Sequence, residues 1–215
     1  MEVKVVVLKK RITAMKNILV VNSSISAEKG QSNLLIEHFL QSFNSDVKVT
    51  RVDLNQQPLP HLAMNEMAAW MTPVADRSGA QTALAALSDL SIAQVQAADV
   101  ILVGVPMYNF GVPSQLKAWF DRLARAGITF TYTDTGPVGL LQDKPVVFFA
   151  TRGGIYKDLP LDTQTPFIKT LFNFIGLKNL HFIYAEGLNM GAGAAQDALT
   201  AAKIQIEALA SKLAG

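Results

Sequence analysis

The sequence predicts an α/β fold: a doubly wound, five-stranded parallel sheet with helices on both faces. Three observations carry this reading. Four short apolar runs, at residues 17–21, 100–105, 146–150 and 180–185, have strand length, and a fifth segment at 47–54 alternates apolar with polar as an edge strand does. Between them lie stretches whose apolar residues recur at helical spacing. Strand and helix thus alternate along the chain, the order that builds parallel sheets with crossover helices. Right-handed crossovers leave few arrangements, of which 2-1-3-4-5 is the common five-stranded one.

Composition bounds the function. A chain of 215 residues, half of them hydrophobic, suits one large domain with a sizeable core. The net charge is only +2 and the basic residues are scattered, so no nucleic-acid surface is indicated. No apolar run reaches the roughly 18–20 residues that cross a bilayer as a helix. Cysteine is absent, which removes disulfides and thiolate catalysis together. His38, His61 and His181 are not spaced as metal ligands, so no metal is expected. The default setting is cytoplasmic.

Residues 1–14 are short and basic and precede a second methionine, Met15. They read as an appendage, consistent with a start codon assigned too early; an added edge strand at 3–8 is the alternative. One domain then covers 15–215. Its first strand, 17–21, feeds a loop rich in serine, including Ser23, Ser24, Ser26, Gly30, Gln31 and Ser32, which opens a helix carrying Leu34, Leu35, Phe39 and Phe43. Free amides, a helix dipole and hydroxyls at one place make a phosphate cradle. The plainer alternative makes Ser32 a simple N-cap. The pattern of an ATP or GTP phosphate loop is missing.

After the edge strand, residues 55–72 hold prolines and Trp70 without firm periodicity and are expected to be irregular. A helix at 80–98 leads into the central unit, 98–125. There the strand 100–105 is stopped by Pro106, and a helix with Leu116, Trp119, Phe120 and Leu123 on one face follows Pro113. Between them stand Met107, Tyr108, Asn109 and Phe110, unusually large and aromatic for a connecting loop. Residues 127–132 alternate and end near Gly136-Pro137, as a short hairpin would. The strand at 146–150 delivers Thr151, Arg152, Gly153 and Gly154, where two glycines let backbone approach a ligand or simply make a turn. A helix at 166–175 ends at Gly176, and 194–213 is the terminal helix. The glycines at 191–193 lack the third glycine and the following strand of a dinucleotide fingerprint.

In the order 2-1-3-4-5 the switch point lies between the first and third strands. The serine loop and the Met107–Phe110 loop then face each other across one crevice, with Gly153-Gly154 beside them. A phosphate cradle opposite a flat, partly aromatic wall describes a site for FMN.

From Met15 onward the chain resembles the FMN-dependent NADH-azoreductases, which are also NADH:quinone oxidoreductases of flavodoxin-like fold. The resemblance rests on S-S-x(6)-Q-S at 23–32, P-M-Y-N-F at 106–110, Q-L-K at 115–117, R-A-G-[IV]-T-F at 125–130, R-G-G at 152–154 and F-x-F-I-G at 172–176. It implies that Ser24, Gly30, Gln31 and Ser32 hold the FMN phosphate. Met107, Tyr108, Asn109, Phe110, Thr151, Arg152, Gly153 and Gly154 would hold the ring. It further implies NADH or NADPH as co-substrate, quinones and azo compounds as acceptors, and a homodimer in which Tyr132, Tyr156, Phe174 and Trp70 reach substrate. For Tyr132 and Trp70, plain packing is the alternative. Related enzymes can carry Ser where Gly30 stands and His where Tyr156 stands. With the chemistry on FMN, no catalytic side chain is required. Two rival readings are a one-electron carrier, which a sequence pI near 8.8 fits poorly, and a flavin-fold module without turnover.

Overall fold

The computed structural model describes residues 15–215; the expected appendage at 1–14 lies outside the described residues. In chain order the elements are β1 (Lys16–Asn22), α1 (Gln31–Ser42), β2 (Val47–Asp53), α2 (Met64–Met71), α3 (Gly79–Ala97), β3 (Val100–Pro106) and α4 (Ser114–Leu123). Then come β4 (Phe130–Thr133), β5 (Gly136–Gly139), β6 (Val146–Thr151), α5 (Gln164–Phe174), β7 (Leu180–Ala185) and α6 (Ala192–Ala214). Five strands pair in parallel in the order β2-β1-β3-β6-β7, while β4 and β5 form a separate antiparallel hairpin. Counted within the sheet alone, this is the expected 2-1-3-4-5.

The apolar runs exist because both faces of the sheet are covered. Leu19, Val21, Ile101, Val103, Val105 and Phe148 point to one side, against Ile92 and Val95 of α3, Trp119 and Phe120 of α4, and Ile168 and Phe172 of α5. Their neighbours Ile18, Val20, Val100, Leu102, Val147 and Phe149 point to the other, against Leu35, Ile36 and Phe39 of α1 and Ala202, Ile206 and Ala210 of α6. Every residue of β3 and β6 is buried, whereas edge strand β2 alternates. At the far end of the sheet, Lys144 Nζ donates to the carbonyls of Val95, Gln96 and Ala98, which the end of α3 leaves open.

The expectation of an irregular 55–72 is corrected: α2 lies inside it. Its N-cap, Ala63, makes no side-chain cap, and it buries only Glu66 and Ala69. What fixes it is tertiary. Glu66 Oε2 accepts from Arg122 Nη2 at 2.6 Å, and Arg122 Nη1 donates to the carbonyls of Pro60 and Ala118. A helix held by one buried ion pair leaves no hydrophobic period to read.

The hairpin docks through glycine. A Cβ on Gly139 would fall 2.1 Å from the backbone nitrogen of Gly176, so β5 lies flat against the end of α5. Gly176 itself follows the helix with φ 103°, the left-handed turn expected of a C′ residue.

Candidate functional site

The crevice is built at the carboxyl ends of β1, β3, β6 and β7. After β1, Ser23 Oγ donates to the carbonyl of Gly104 at 2.6 Å and pins the serine loop to β3. One short turn later, Gly30 is the N-cap of α1, with no side-chain cap. The N-cap alternative for Ser32 is thereby corrected: helix geometry begins at Gln31, two residues earlier than that role allows. Among the described residues, the N–H groups of Gln31 and Ser32 find no acceptor, the condition that makes a helix start attractive to an anion. Gly30 leaves room there, since a Cβ would lie 2.2 Å from Ser24 Oγ. Ser32 is fully buried and its hydroxyl has no partner among the described residues.

Opposite, Tyr108 and Gly111 exchange hydrogen bonds, Tyr108 N to Gly111 O at 3.2 Å and Gly111 N to Tyr108 O at 2.9 Å. The two residues between them turn with positive φ, 49° at Asn109 and 63° at Phe110, as in a type I′ turn. Left-handed backbone costs an L-residue about 1–2 kcal/mol, so this turn is strained, and strain of this kind concentrates at functional sites. It leaves the N–H groups of Asn109 and Phe110 unpaired among the described residues. The Tyr108 hydroxyl crosses the crevice, accepting from Ile25 N at 3.2 Å and lying 3.4 Å from Ser24 Oγ.

After β6, Gly153 and Gly154 also present N–H groups without acceptors among the described residues. Their carbonyls accept from Asn189 N and Gly187 N in the loop that follows β7. Beneath the turn, Arg152 is 1% exposed. Its guanidinium binds Asp162 at 2.8 Å, Glu186 at 3.0 Å, Thr165 at 3.1 Å and Gln164 at 3.3 Å. Tyr184 covers it with its ring centroid 5.1 Å away. Burial raises the Asp162 carboxyl, but hydrogen bonds from Arg152 and Thr165 outweigh it and hold the group below its ordinary range. Burial pushes the Tyr184 hydroxyl up.

Two adjoining cavities result. One of about 510 Å³ is lined by Ser24, Ser26, Lys29, Gly30, Gln31, Met107, Tyr108, Thr151, Arg152, Gly153, Leu188 and Asn189, among others. The second, about 440 Å³, shares Met107, Gly153 and Asn189 and adds Asn109, Phe110, Gly154 and Tyr156. Both fall in the size range of small-molecule sites. Phe110 and Tyr156 meet edge-to-face at 5.6 Å on its border.

All but one of the residues expected at cofactor therefore border one crevice, along with Tyr156; Ser32 sits just behind the wall. Three others do not. Tyr132 is 72% exposed on the hairpin, packed edge-on against Phe130, and Phe174 lies tilted against the same Phe130 at 4.3 Å. Trp70 lies under the Arg125 guanidinium at 5.6 Å, as packing. Lys29, Asn189 and the Arg152 network were not expected. Lys29 stood in the serine loop, and nothing in its spacing marked it. Among the described residues no group of acidic and histidine side chains is arranged for a metal, and no helix is long and apolar enough to cross a membrane.

A protein family described as Flavodoxin_2, of flavodoxin-like fold, matches residues 16–210. An FMN-dependent NADH:quinone oxidoreductase of Alteromonas mediterranea is 50% identical over 194 residues, covering 89% of this chain and 97% of that one. One of the same name from Cellvibrio japonicus is 48% identical over 196 residues, covering 90% and 98%. Among solved structures, an azoreductase from Bacillus anthracis superposes with a TM-score of 0.83 at 28% identity, over 92% of this chain and 100% of the other.

Proposed function

Because the chain belongs to the flavodoxin-like family that matches it over residues 16–210, we propose that the crevice binds FMN and that the protein is an FMN-dependent NADH:quinone oxidoreductase, active on azo compounds too, in the cytoplasm. One observation carries this: the unpaired amide of Gln31 at a helix start and those of Asn109 and Phe110 on a strained turn belong to residues that line two adjoining cavities of ligand size. The residues fit the group. Gly30 leaves the space that a phosphate needs, Ser32 holds a buried hydroxyl without a partner, and Met107 with Phe110 offers a flat wall.

FMN, when bound, supplies two-electron transfer between a nicotinamide and an acceptor. The chain does the rest. Ser24, Ser26 and Lys29, with the Gln31 and Ser32 amides at the positive end of α1, hold the phosphate. The amides of Asn109, Phe110, Gly153 and Gly154 stabilise negative charge on a planar group beside them, as an oxyanion hole does. Phe110 and Tyr156 keep water from the open side. No nucleophile is needed, in keeping with a chain that has no cysteine.

The slot beside Phe110 and Tyr156 admits one planar partner at a time, so NADH or NADPH and the acceptor occupy it in turn. Double-reciprocal plots are expected to run parallel. Tyr132, 72% exposed, and Phe174, beside it on Phe130, would complete the partner's slot in a homodimer. Phe174→Ala is then expected to raise the acceptor KM while leaving flavin reduction by NADH within about twofold. Intersecting plots, or full activity in a monomer, would count against this arrangement.

Ser32→Ala has two expected effects of opposite sign. Without flavin it stabilises the fold by about 1 kcal/mol, because an unpaired buried hydroxyl is removed. With FMN it weakens binding by about 0.5–2 kcal/mol through the lost phosphate contact. Thermal melts and fluorescence titration read the two separately. The reading as a whole is tested by titrating flavin-free protein with FMN and assaying NADH oxidation with a quinone. Absence of FMN binding overturns it.

A further inference from the structure

Gln164 is 1% exposed at the start of α5. Its amide Nε2 donates to the carbonyls of Pro106 at 3.1 Å and Gly111 at 2.9 Å, the two residues that flank the Met107–Phe110 loop. Its Oε1 accepts from Arg152 Nε. Thr163, one residue earlier, donates its hydroxyl to the carbonyl of Phe110 and makes no cap for its own helix. The donor groups of both side chains are thus spent on a loop more than fifty residues away in sequence, whose central residues carry left-handed backbone.

Arg152 carries the same brace to the other wall. Its Nη1 donates to Glu186 Oε1, which also accepts from the backbone N–H groups of Tyr156 and Lys157 at 2.9 Å each. The Gly153-Gly154 turn is therefore pinned beyond its far end by the Glu186 carboxylate, which the guanidinium that meets Gln164 holds in place.

We infer that Gln164 is a positioning residue for the flavin ring: it fixes the strained turn so that the Asn109 and Phe110 amides face the cavity, and it locks that turn to the Gly153-Gly154 wall through Arg152. This deepens the flavin reading and rests on it. FMN and riboflavin share the ring and differ in the phosphate, which separates the two ends of the site. In Gln164→Met, of similar volume but without the amide, Kd for both flavins should rise by the same factor, about tenfold. The visible absorption of bound flavin should also move toward that of free flavin, a change that mere loss of stability would not produce. Thr163→Val, at an exposed position where folding is not at stake, should raise both constants by about threefold. Ser32→Ala should weaken FMN alone.

An unchanged riboflavin Kd and spectrum in folded Gln164→Met overturns the inference, as does a loss confined to FMN. If Gln164→Met does not fold, Thr163→Val decides: equal weakening of both flavins supports the brace, and none refutes it. Wild-type protein that binds neither flavin refutes the flavin reading itself, an outcome distinct from wild type that binds and a variant that binds equally well.

Discussion

Replacing Arg152 by methionine is expected to cost about 3–5 kcal/mol of folding stability, because it leaves the buried Asp162 carboxylate and the partly buried Glu186 carboxylate beside an uncharged side chain. Asp162 and Glu186 both bind this guanidinium, and the Asp162 side chain is only 6% exposed. Arg152→Lys should recover a minority of the loss, since one ammonium cannot serve four partners in a planar fork. The variant should also carry a pH signature. The Asp162 carboxyl is held below its ordinary range, so its contribution to stability is present above about pH 4 and is lost as pH falls through the lower folded value. Wild-type stability should therefore decline on acidification below about pH 4, and the Asp162 part of that slope should vanish with Arg152. Urea denaturation at pH 7 and at pH 3–4 measures both effects. A loss below about 1 kcal/mol at neutral pH would show that the network is not holding the turn.

Arg122→Met is expected to be comparable in size but local in reach. Glu66, with its side chain 4% exposed, would lose its ion-pair partner at a cost of about 3–5 kcal/mol. Beyond that pair the helix has Ala69, its other buried residue, Trp70 under the Arg125 guanidinium, and Arg77 Nε donating to the carbonyl of Ala69. Detachment of α2 should cap the penalty before the sheet is affected. Limited proteolysis should then cut near residues 60–77 while the rest of the chain resists. The pair is imperfect, with Glu66 Oε1 and Arg122 Nε both buried and without a partner among the described residues. For that reason Glu66→Leu combined with Arg122→Met should be more stable than either single change, a coupling that a double-mutant cycle measures. Additive losses would refute it.

The contrast between these two arginines and the strands explains what the sequence discloses. β3 and β6 are legible because helices cover both faces, which forces an unbroken apolar run. The crevice is legible at its lip, where Gly30, Ser24, Gly153 and the bulky Met107–Phe110 turn break the ordinary pattern of a connecting loop. α2 is silent because its inward face is a carboxylate and a methyl group. The brace is silent for the same reason: Asp162, Gln164 and Thr165 look like any polar helix start, and only the fold shows that they are buried. Arg152 looks from its position like a ligand for cofactor, yet its charge is spent inside. Polar residues that act through other polar residues have no periodicity to betray them.

The crevice takes its walls from the ends of β1, β3, β6 and β7, so Ser24 and Asn189 meet there across most of the chain. On a ribosome the serine loop emerges early and the Asn189 loop almost last. Until β7 pairs with β6, half the crevice has no second side. A ligand that touches all these loops cannot template any partial fold, and a sheet of non-local parallel pairings closes slowly. Its binding energy enters only after the last crossover and is spent on resisting unfolding, not on hastening folding. Chains starved of the ligand should be made at an undiminished rate and lost faster, with proteolytic lifetime, not yield of synthesis, tracking its supply.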